Sequence, residues 1–257
     1  MHDLTLCLIQ SDLYWENKAK NLTLFEQKIQ NAPDSDLIIL PEMFTTGFSM
    51  APSNFAEKMD GPSVHWLKSM AKKKGSCIIG SLIIEEDGKY FNRLVAMQKN
   101  GEYVFYDKRH LFSLAGEEKQ YQAGNKKTQL FLKGWSIDLF ICYDLRFPVW
   151  CRNKKADLMI FVANWPAKRQ EAWKSLLLAR SIENQCYVAG LNRYGNDGNG
   201  FYHSGNSSVH DPEGKAIASI NDCEDIIQCT LSKSFLENTR KKFPFHLDAD
   251  SFKLYEE

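Results

Sequence analysis

The chain has 257 residues, of which 44% are hydrophobic and 25% charged, and its 32 basic residues balance 32 acidic ones. This composition predicts a globular protein with a large core, and it argues against intrinsic disorder and against a nucleic-acid partner. No segment has the length of a membrane span or the pattern of a signal peptide, so we expect a soluble protein of the cytoplasm.

Cysteines and histidines give no sign of a bound metal. The seven cysteines are an odd number without CxxC spacing, which favours free thiols in a reducing compartment over disulfides. The six histidines form no HExxH pair, and no carboxylates follow EF-hand spacing. No Walker or Rossmann glycine pattern is present, because the GNDGNG segment at 195–200 does not stand between a strand and a helix and is interpreted as a loop. We therefore expect no metal and no organic cofactor.

The first third of the chain alternates apolar runs with segments of helical periodicity. The pattern predicts strands at 4–9, 36–40 and 77–84, and helices at 16–30 and 62–74. The second helix has proline at its first position and Gly75 as its predicted C-cap. The strand at 36–40 ends at Pro41-Glu42.

The rest of the chain begins with a predicted hairpin, 90–98 and 102–106, turning at Asn100-Gly101. The charged segment Asp107-Lys108-Arg109 follows, and then a polar loop at 113–125. Further strands are expected at 128–132, 135–141, 157–163, 186–191, 207–209, 216–220 and 225–231, with helices at 149–154 and 171–185 and a glycine-rich loop at 193–204.

These elements predict one α/β domain over residues 1–257, since no repeat or flexible linker divides the chain. Helix-linked strands together with a hairpin indicate mixed sheets. We expect a four-layer α-β-β-α sandwich, two stacked sheets covered by helices. The charged tail from about residue 232 carries five aromatics, so it is expected to pack on this domain or on a partner subunit: Phe235, Phe243, Phe245, Phe252 and Tyr255.

Three residues are candidates for catalysis because each follows a predicted strand or hairpin. Cys142 ends the apolar run 135–141 and is followed by a turn, a position that suits a nucleophile. Glu42 ends another apolar strand, and Lys108 follows the hairpin. Each has an ordinary alternative: a core cysteine, a loop glutamate, a solvated lysine. Together they supply what thiol attack on a carbonyl needs, namely a nucleophile, a base and a cation for the oxyanion.

The segments LPEMFTTGF, YDKRHLF and ICYDLRFP resemble, in order and spacing, three signature segments of the nitrilase (carbon–nitrogen hydrolase) superfamily. The NWP segment at Asn164 and the DPEGK turn at Asp211 extend the resemblance over nearly the whole chain. The resemblance implies that Glu42 is the general base, Lys108 the oxyanion-stabilising cation and Cys142 the nucleophile. It also implies a thioester acyl-enzyme, with the Tyr143 backbone N–H assisting Lys108.

The CYDLRFP form and the absence of a fused domain are most similar to the omega-amidase branch. That branch implies hydrolysis of the terminal amide of an α-keto acid amide, such as 2-oxoglutaramate or 2-oxosuccinamate, to the acid and ammonia. The partners implied are the small amide and water. Alternatives are an amidase for N-carbamoyl compounds or for deaminated glutathione, and a non-catalytic interaction protein. A homodimer is expected, using the helix at 171–185 or the aromatic tail.

The family also carries a second glutamate between the lysine and the cysteine. Glu117 is favoured over its neighbour Glu118 because it precedes the segment 121–124. Asp144 and Arg146 are interpreted as a buried turn pair that supports the nucleophile. Aromatic side chains near the signature segments are expected to line the substrate pocket together with Tyr143: Phe44, Phe48 and Trp165.

Overall fold

In a computed structural model of the chain, residues 2–254 are described, and Tyr255 lies outside this range. Six strands form the first sheet: β1 (Leu4–Gln10), β2 (Leu37–Ile39), β3 (Cys77–Glu86), β4 (Lys89–Met97), β5 (Tyr103–Asp107) and β14 (Asp225–Leu231). Their order is β14-β1-β2-β3-β4-β5. Strands β1, β2 and β3 are parallel, and the others pair antiparallel at the two edges.

The second sheet also has six strands: β6 (Gln129–Leu132), β7 (Trp135–Ile141), β8 (Leu158–Ala163), β9 (Tyr187–Asn192), β12 (Ser207–His210) and β13 (Ala216–Ile220). Their order is β13-β12-β9-β8-β7-β6, with β7, β8 and β9 parallel. A separate hairpin pairs β10 (Tyr194–Asn196) with β11 (Tyr202–Ser204).

In the described part of the chain, seven α-helices connect or follow these strands: α1 (Lys18–Asn31), α2 (Pro52–Phe55), α3 (Pro62–Lys74), α4 (Glu117–Gln120), α5 (Pro148–Cys151), α6 (Gln170–Asn184) and α7 (Lys233–Lys242). Short 3-10 turns occupy Ser113–Ala115, Cys142–Arg146, Ala167–Arg169 and Phe245–Leu247. Within residues 2–254, no helix is long and apolar enough to cross a membrane.

Side chains alternate between the two faces of each strand, and this alternation explains the layers of the fold. In β1, Leu4, Leu6 and Leu8 join the core between the two sheets. Cys7 and Ile9 point to the opposite face, where they join a second core with residues of α1 and α3. A sheet that buries both faces needs a layer on each side, so the first sheet lies between helices and the second sheet. Helix α6 packs on the second sheet at β9. The predicted sandwich of two mixed sheets is confirmed.

Most predicted elements are present with ends shifted by one or two residues, and α3 begins and ends where its signals predict. Pro62 occupies its first turn, and Gly75 adopts φ 71° at its C-cap. The left-handed conformation is open to glycine without the clash that a Cβ would make, which is why this residue ends the helix.

Four segments differ from the predictions. Two are short: α2 has no predicted counterpart, and α4 lies within the predicted loop 113–125. The region 193–204 contains the β10–β11 hairpin, so the loop prediction was wrong for its two three-residue strands. The tail contains α7, which begins at an N-cap where the Ser232 hydroxyl accepts from the Phe235 amide. Helix α7 is held to the domain by the buried Leu236 and by Asp157, whose carboxylate lies 2.6 Å from Lys233 Nζ. Helix α7 of the tail therefore packs against the preceding part of the chain.

Candidate active site

Four strand ends meet at one edge of the stacked sheets. Glu42 follows β2, Lys108 follows β5, Cys142 follows β7 and Asn164 follows β8. Since β2 and β5 belong to the first sheet and β7 and β8 to the second, the site lies between the two sheets. The three residues that the sequence places at strand ends are thus brought to one place, and Asn164 joins them.

Glu42 is fully buried and accepts hydrogen bonds on both carboxylate oxygens. Its Oε1 lies 3.0 Å from Lys108 Nζ and 2.8 Å from Asn92 Nδ2. Its Oε2 accepts from the Asn164 backbone N–H at 2.7 Å, and the Asn164 side chain donates to the Glu42 carbonyl at 2.7 Å. These four hydrogen bonds fix the orientation of the Glu42 side chain.

Lys108 and Glu117 form a second buried pair beside Glu42. Both Glu117 oxygens accept from Lys108 Nζ, at 3.0 and 2.8 Å, and the Phe112 amide donates to Oε2 at 2.6 Å. Burial alone would lower the pKa of Lys108, but the charges of Glu117 and Glu42 outweigh burial and raise it above its usual value. Lys108 therefore remains an ammonium, and it also lines the cavity described below.

Of the two adjacent acids, the structure brings Glu117 into this cluster and leaves Glu118 exposed. Burial is the main cause that raises the pKa of the Glu117 carboxyl; Glu42 adds to the rise and Lys108 opposes it. Because its two oxygens face one ammonium, Glu117 can hold Lys108 in place from behind.

Cys142 begins a 3-10 turn immediately after β7 and adopts φ 45°, a left-handed conformation that is uncommon for a residue other than glycine. Such strain, of order 1–3 kcal/mol, is tolerated where the surroundings fix it. The side chain is 9% exposed and lines the cavity. Burial and the charge of Glu42 raise the pKa of the Cys142 thiol well above its usual value, against the effect of Lys108. The resting cysteine is thus a thiol that needs a base.

Asp144 stabilises this turn. Its buried carboxylate accepts from the Tyr106 hydroxyl at 2.8 Å, from the Ile141 amide at 3.1 Å and from the His110 amide at 3.0 Å. Removing it would leave these donors unsatisfied, and each unsatisfied buried group costs roughly 1–3 kcal/mol. The predicted partnership with Arg146 is wrong, because Arg146 is exposed at the cavity with its guanidinium carbon 5.0 Å from the Trp165 ring centroid.

A cavity of about 420 Å³ opens beside Cys142, large enough for a small acid amide. Phe48, Tyr143 and Trp165 line it, as the sequence predicts. The prediction for Phe44 is wrong: this ring is buried in the outer core, where it packs edge-on against Phe25 with 5.5 Å between centroids.

Two asparagines complete the site. The sequence marks Asn164 as a polar residue after a buried strand, without giving it a partner. Asn92 was missed; its only signal is a polar amide inside the strand β4, beside Phe91. The Oδ1 atoms of Asn92 and Asn164 are both buried without a hydrogen-bond partner among the described residues. Within residues 2–254, no group of three His, Cys, Asp or Glu could hold a metal ion.

The sequence of this chain is similar to those of known amidases. The sequence profile described as carbon-nitrogen hydrolase matches residues 5–241. Omega-amidase YafV of Escherichia coli K12 is 42% identical over 99% of this chain and 100% of its own length. The 2-oxoglutaramate amidase of Bacillus subtilis is 33% identical over 93% of this chain and 95% of its own length.

Solved structures agree with the fold. A CN-hydrolase superfamily protein of Xanthomonas campestris, whose crystal structure carries an arsenic adduct in the active site, superposes with a TM-score of 0.96. It is 43% identical and covers 99% of this chain and 100% of its own. Nit3 of Saccharomyces cerevisiae, a nitrilase superfamily member, is 26% identical with a TM-score of 0.84, and 94% of each chain is covered.

Proposed function

Because the chain belongs to the carbon-nitrogen hydrolase family of the nitrilase superfamily, we propose that it is an omega-amidase. It hydrolyses the terminal amide of a small α-keto acid amide, of the 2-oxoglutaramate or 2-oxosuccinamate type, to the carboxylic acid and ammonia. One observation carries this proposal: the buried Glu42–Lys108–Glu117 cluster stands beside Cys142 at a cavity of substrate size.

Acylation begins when Glu42 takes the proton of the Cys142 thiol. The thiolate attacks the amide carbonyl, and the oxyanion accepts hydrogen bonds from Lys108 and from the Tyr143 backbone N–H. Tyr143 lies in the first turn of its 3-10 segment, where amides lack a partner within the turn. Glu42 then returns the proton to the leaving nitrogen, ammonia departs and a thioester remains.

Deacylation repeats these steps with water. Glu42 takes a proton from the water, the hydroxide attacks the thioester carbonyl, and the same two donors hold the second oxyanion. Collapse releases the carboxylic acid, and the Cys142 sulfur recovers the proton from Glu42. Glu117 acts through Lys108, since its two oxygens hold the ammonium at 3.0 and 2.8 Å.

A substrate panel tests the proposed activity. Ammonia release should be fastest with 2-oxoglutaramate or 2-oxosuccinamate, and slower with glutamine, N-carbamoyl amino acids and simple nitriles. The α-keto acid amides fit because the cavity combines an apolar lining with cationic side chains. A clear preference for N-carbamoyl substrates, or for deaminated glutathione added to the panel, would assign the same residues to another amidase. Inactivity towards every amide would favour an interaction protein.

The proposal includes a homodimer in the cytoplasm. On α6, Leu178 and Ile182 lie one turn apart and are 36% and 52% exposed, and Phe245 in the tail is 64% exposed. Exposed apolar side chains of this kind suit a subunit contact. All seven cysteines are free, which suits a reducing compartment. Light scattering at micromolar concentration should give twice the chain mass of 29.6 kDa; a monomer would contradict the dimer.

A further inference from the structure

The side chain of Asn164 has one polar atom that the fold does not use. Asn164 follows β8, is 6% exposed and lines the cavity. Its Nδ2 donates to the Glu42 carbonyl at 2.7 Å and lies 3.4 Å from Glu42 Oε2, while its Oδ1 is buried without a partner among the described residues. Because both neighbours of Nδ2 are acceptors, the side-chain amide has one orientation, and Oδ1 is left as an unused acceptor.

Asn164 is also a neighbour of both proposed reacting groups. Its backbone N–H donates to Glu42 Oε2 at 2.7 Å. Burial raises the pKa of the Cys142 thiol, and a hydrogen bond from the Asn164 backbone N–H to the sulfur acts against this rise. The unused acceptor therefore belongs to the one residue that contacts the base and the nucleophile, in the wall of the cavity that Cys142 also lines.

The chemistry of an unused acceptor favours a ligand that brings a donor. A buried carbonyl oxygen without a donor costs free energy, and a ligand N–H group would remove that cost. A primary amide has two N–H groups on its nitrogen, whereas an ester has only an acceptor oxygen at the same position. Oδ1 would therefore stabilise a bound amide and oppose a bound ester.

We propose that Asn164 Oδ1 accepts a hydrogen bond from the nitrogen of the amide that Cys142 attacks, which makes Asn164 the residue that selects amides over esters. This assignment rests on the proposed amidase function and adds a specificity-determining residue to it. An amide nitrogen held by Oδ1 stays beside Glu42, which returns the proton to it before ammonia departs.

The test compares an amide with an ester of the same acid. Succinamate and monomethyl succinate give the same acyl-enzyme, so the ratio of their kcat/KM values reports acylation alone. In Asn164→Ala both values should fall, because Glu42 loses a hydrogen bond at its carbonyl, but only the amide also loses an acceptor. A donor left without a partner in a buried site is costly, so the ratio of amide to ester should fall by about 5-fold or more.

Asn92→Ala is the matched control, because it disturbs Glu42 without touching the cavity. Asn92 Nδ2 donates to Glu42 Oε1 at 2.8 Å, and Asn92 is not part of the cavity lining. Both kcat/KM values should fall in this variant, while their ratio stays close to that of the wild type. An equal fall of the ratio in Asn92→Ala and Asn164→Ala would overturn the assignment, since support of Glu42 would then explain both. Thermal unfolding of each variant checks that the fold is retained.

Binding gives a readout that needs no turnover. Calorimetric titration into Cys142→Ala should show tighter binding of succinamate than of monomethyl succinate, and adding Asn164→Ala should remove the difference. Equal affinity of Cys142→Ala for the two ligands would overturn the proposal without any change at Asn164.

Two further outcomes separate this proposal from its alternatives. A kcat/KM ratio that is unchanged in Asn164→Ala would also overturn it; that result is expected if Oδ1 instead holds the water that attacks the thioester, a step that both substrates share. If the wild type releases no ammonia from any amide, yet Cys142→Ala prefers succinamate and loses this preference with Asn164→Ala, the amidase proposal fails and the amide-binding role of Asn164 stands.

Discussion

Replacing Cys142 by alanine or serine should lower kcat by roughly 10⁴-fold or more, the loss seen when a covalent nucleophile is removed. Alanine has no nucleophile. Serine is close in shape, but its hydroxyl is far less ionised than a thiol, and Glu42 is a weak base towards it. Ammonia release from 2-oxoglutaramate measures the loss.

The fold should survive both substitutions. Removing the sulfur leaves a void that costs on the order of 1 kcal/mol, well within a normal stability margin. Urea unfolding should therefore show a small shift in midpoint with an unchanged slope. Turnover by Cys142→Ala at the wild-type rate, in protein free of host amidase, would exclude Cys142 as the nucleophile.

The residues at strand ends were the part of the site that the sequence predicted best. A buried parallel strand is a continuous apolar run, so the polar residue that ends it is visible, as with Glu42 and Cys142. The same logic marked Asn164. It could not show that the Asn164 amide faces Glu42, because that contact joins residues 122 positions apart on different sheets.

Residues placed by loops were harder to predict. Phe44 and Phe48 lie four positions apart in one segment, but Gly47, which lies between them, adopts φ 76°, so the chain turns there. One ring then enters the outer core and the other the cavity. Glu117 belongs to a segment whose polar composition predicts an exposed loop, and its contacts with Lys108 and with the Phe112 amide explain its burial. The orientation of Arg146 likewise depends on Trp165, which is distant in sequence.

Helix α7 was missed for a different reason. Its segment is rich in charge, so its mean hydropathy resembles that of a flexible end, and only Leu236 and Thr239 are buried. Two buried positions give too weak a period for a helix assignment. The contact that fixes it, Lys233 with Asp157, joins residues 76 positions apart.

Glu42→Gln should reduce amide turnover by roughly 10³-fold or more, since glutamine cannot accept the thiol proton or the water proton. The substitution also disrupts the hydrogen bonds that the Glu42 side chain accepts. Every neighbour of the Glu42 carboxylate is a donor: Lys108 and Asn92 at Oε1, and the Asn164 amide at Oε2. Either orientation of a glutamine amide points N–H groups at a donor, so a loss of about 1–3 kcal/mol in stability is expected as well.

The acyl-enzyme separates the two roles of Glu42. An activated ester of the same acyl group needs no protonation of its leaving group, so a thioester can form on Cys142 of Glu42→Gln even though amides react slowly. Without a base to activate water, that thioester should persist, and intact-protein mass spectra should show the added mass of one acyl group. Cys142→Ala treated in the same way should show no adduct. Rapid loss of the adduct from Glu42→Gln, at the wild-type rate, would assign the deacylation base to another residue.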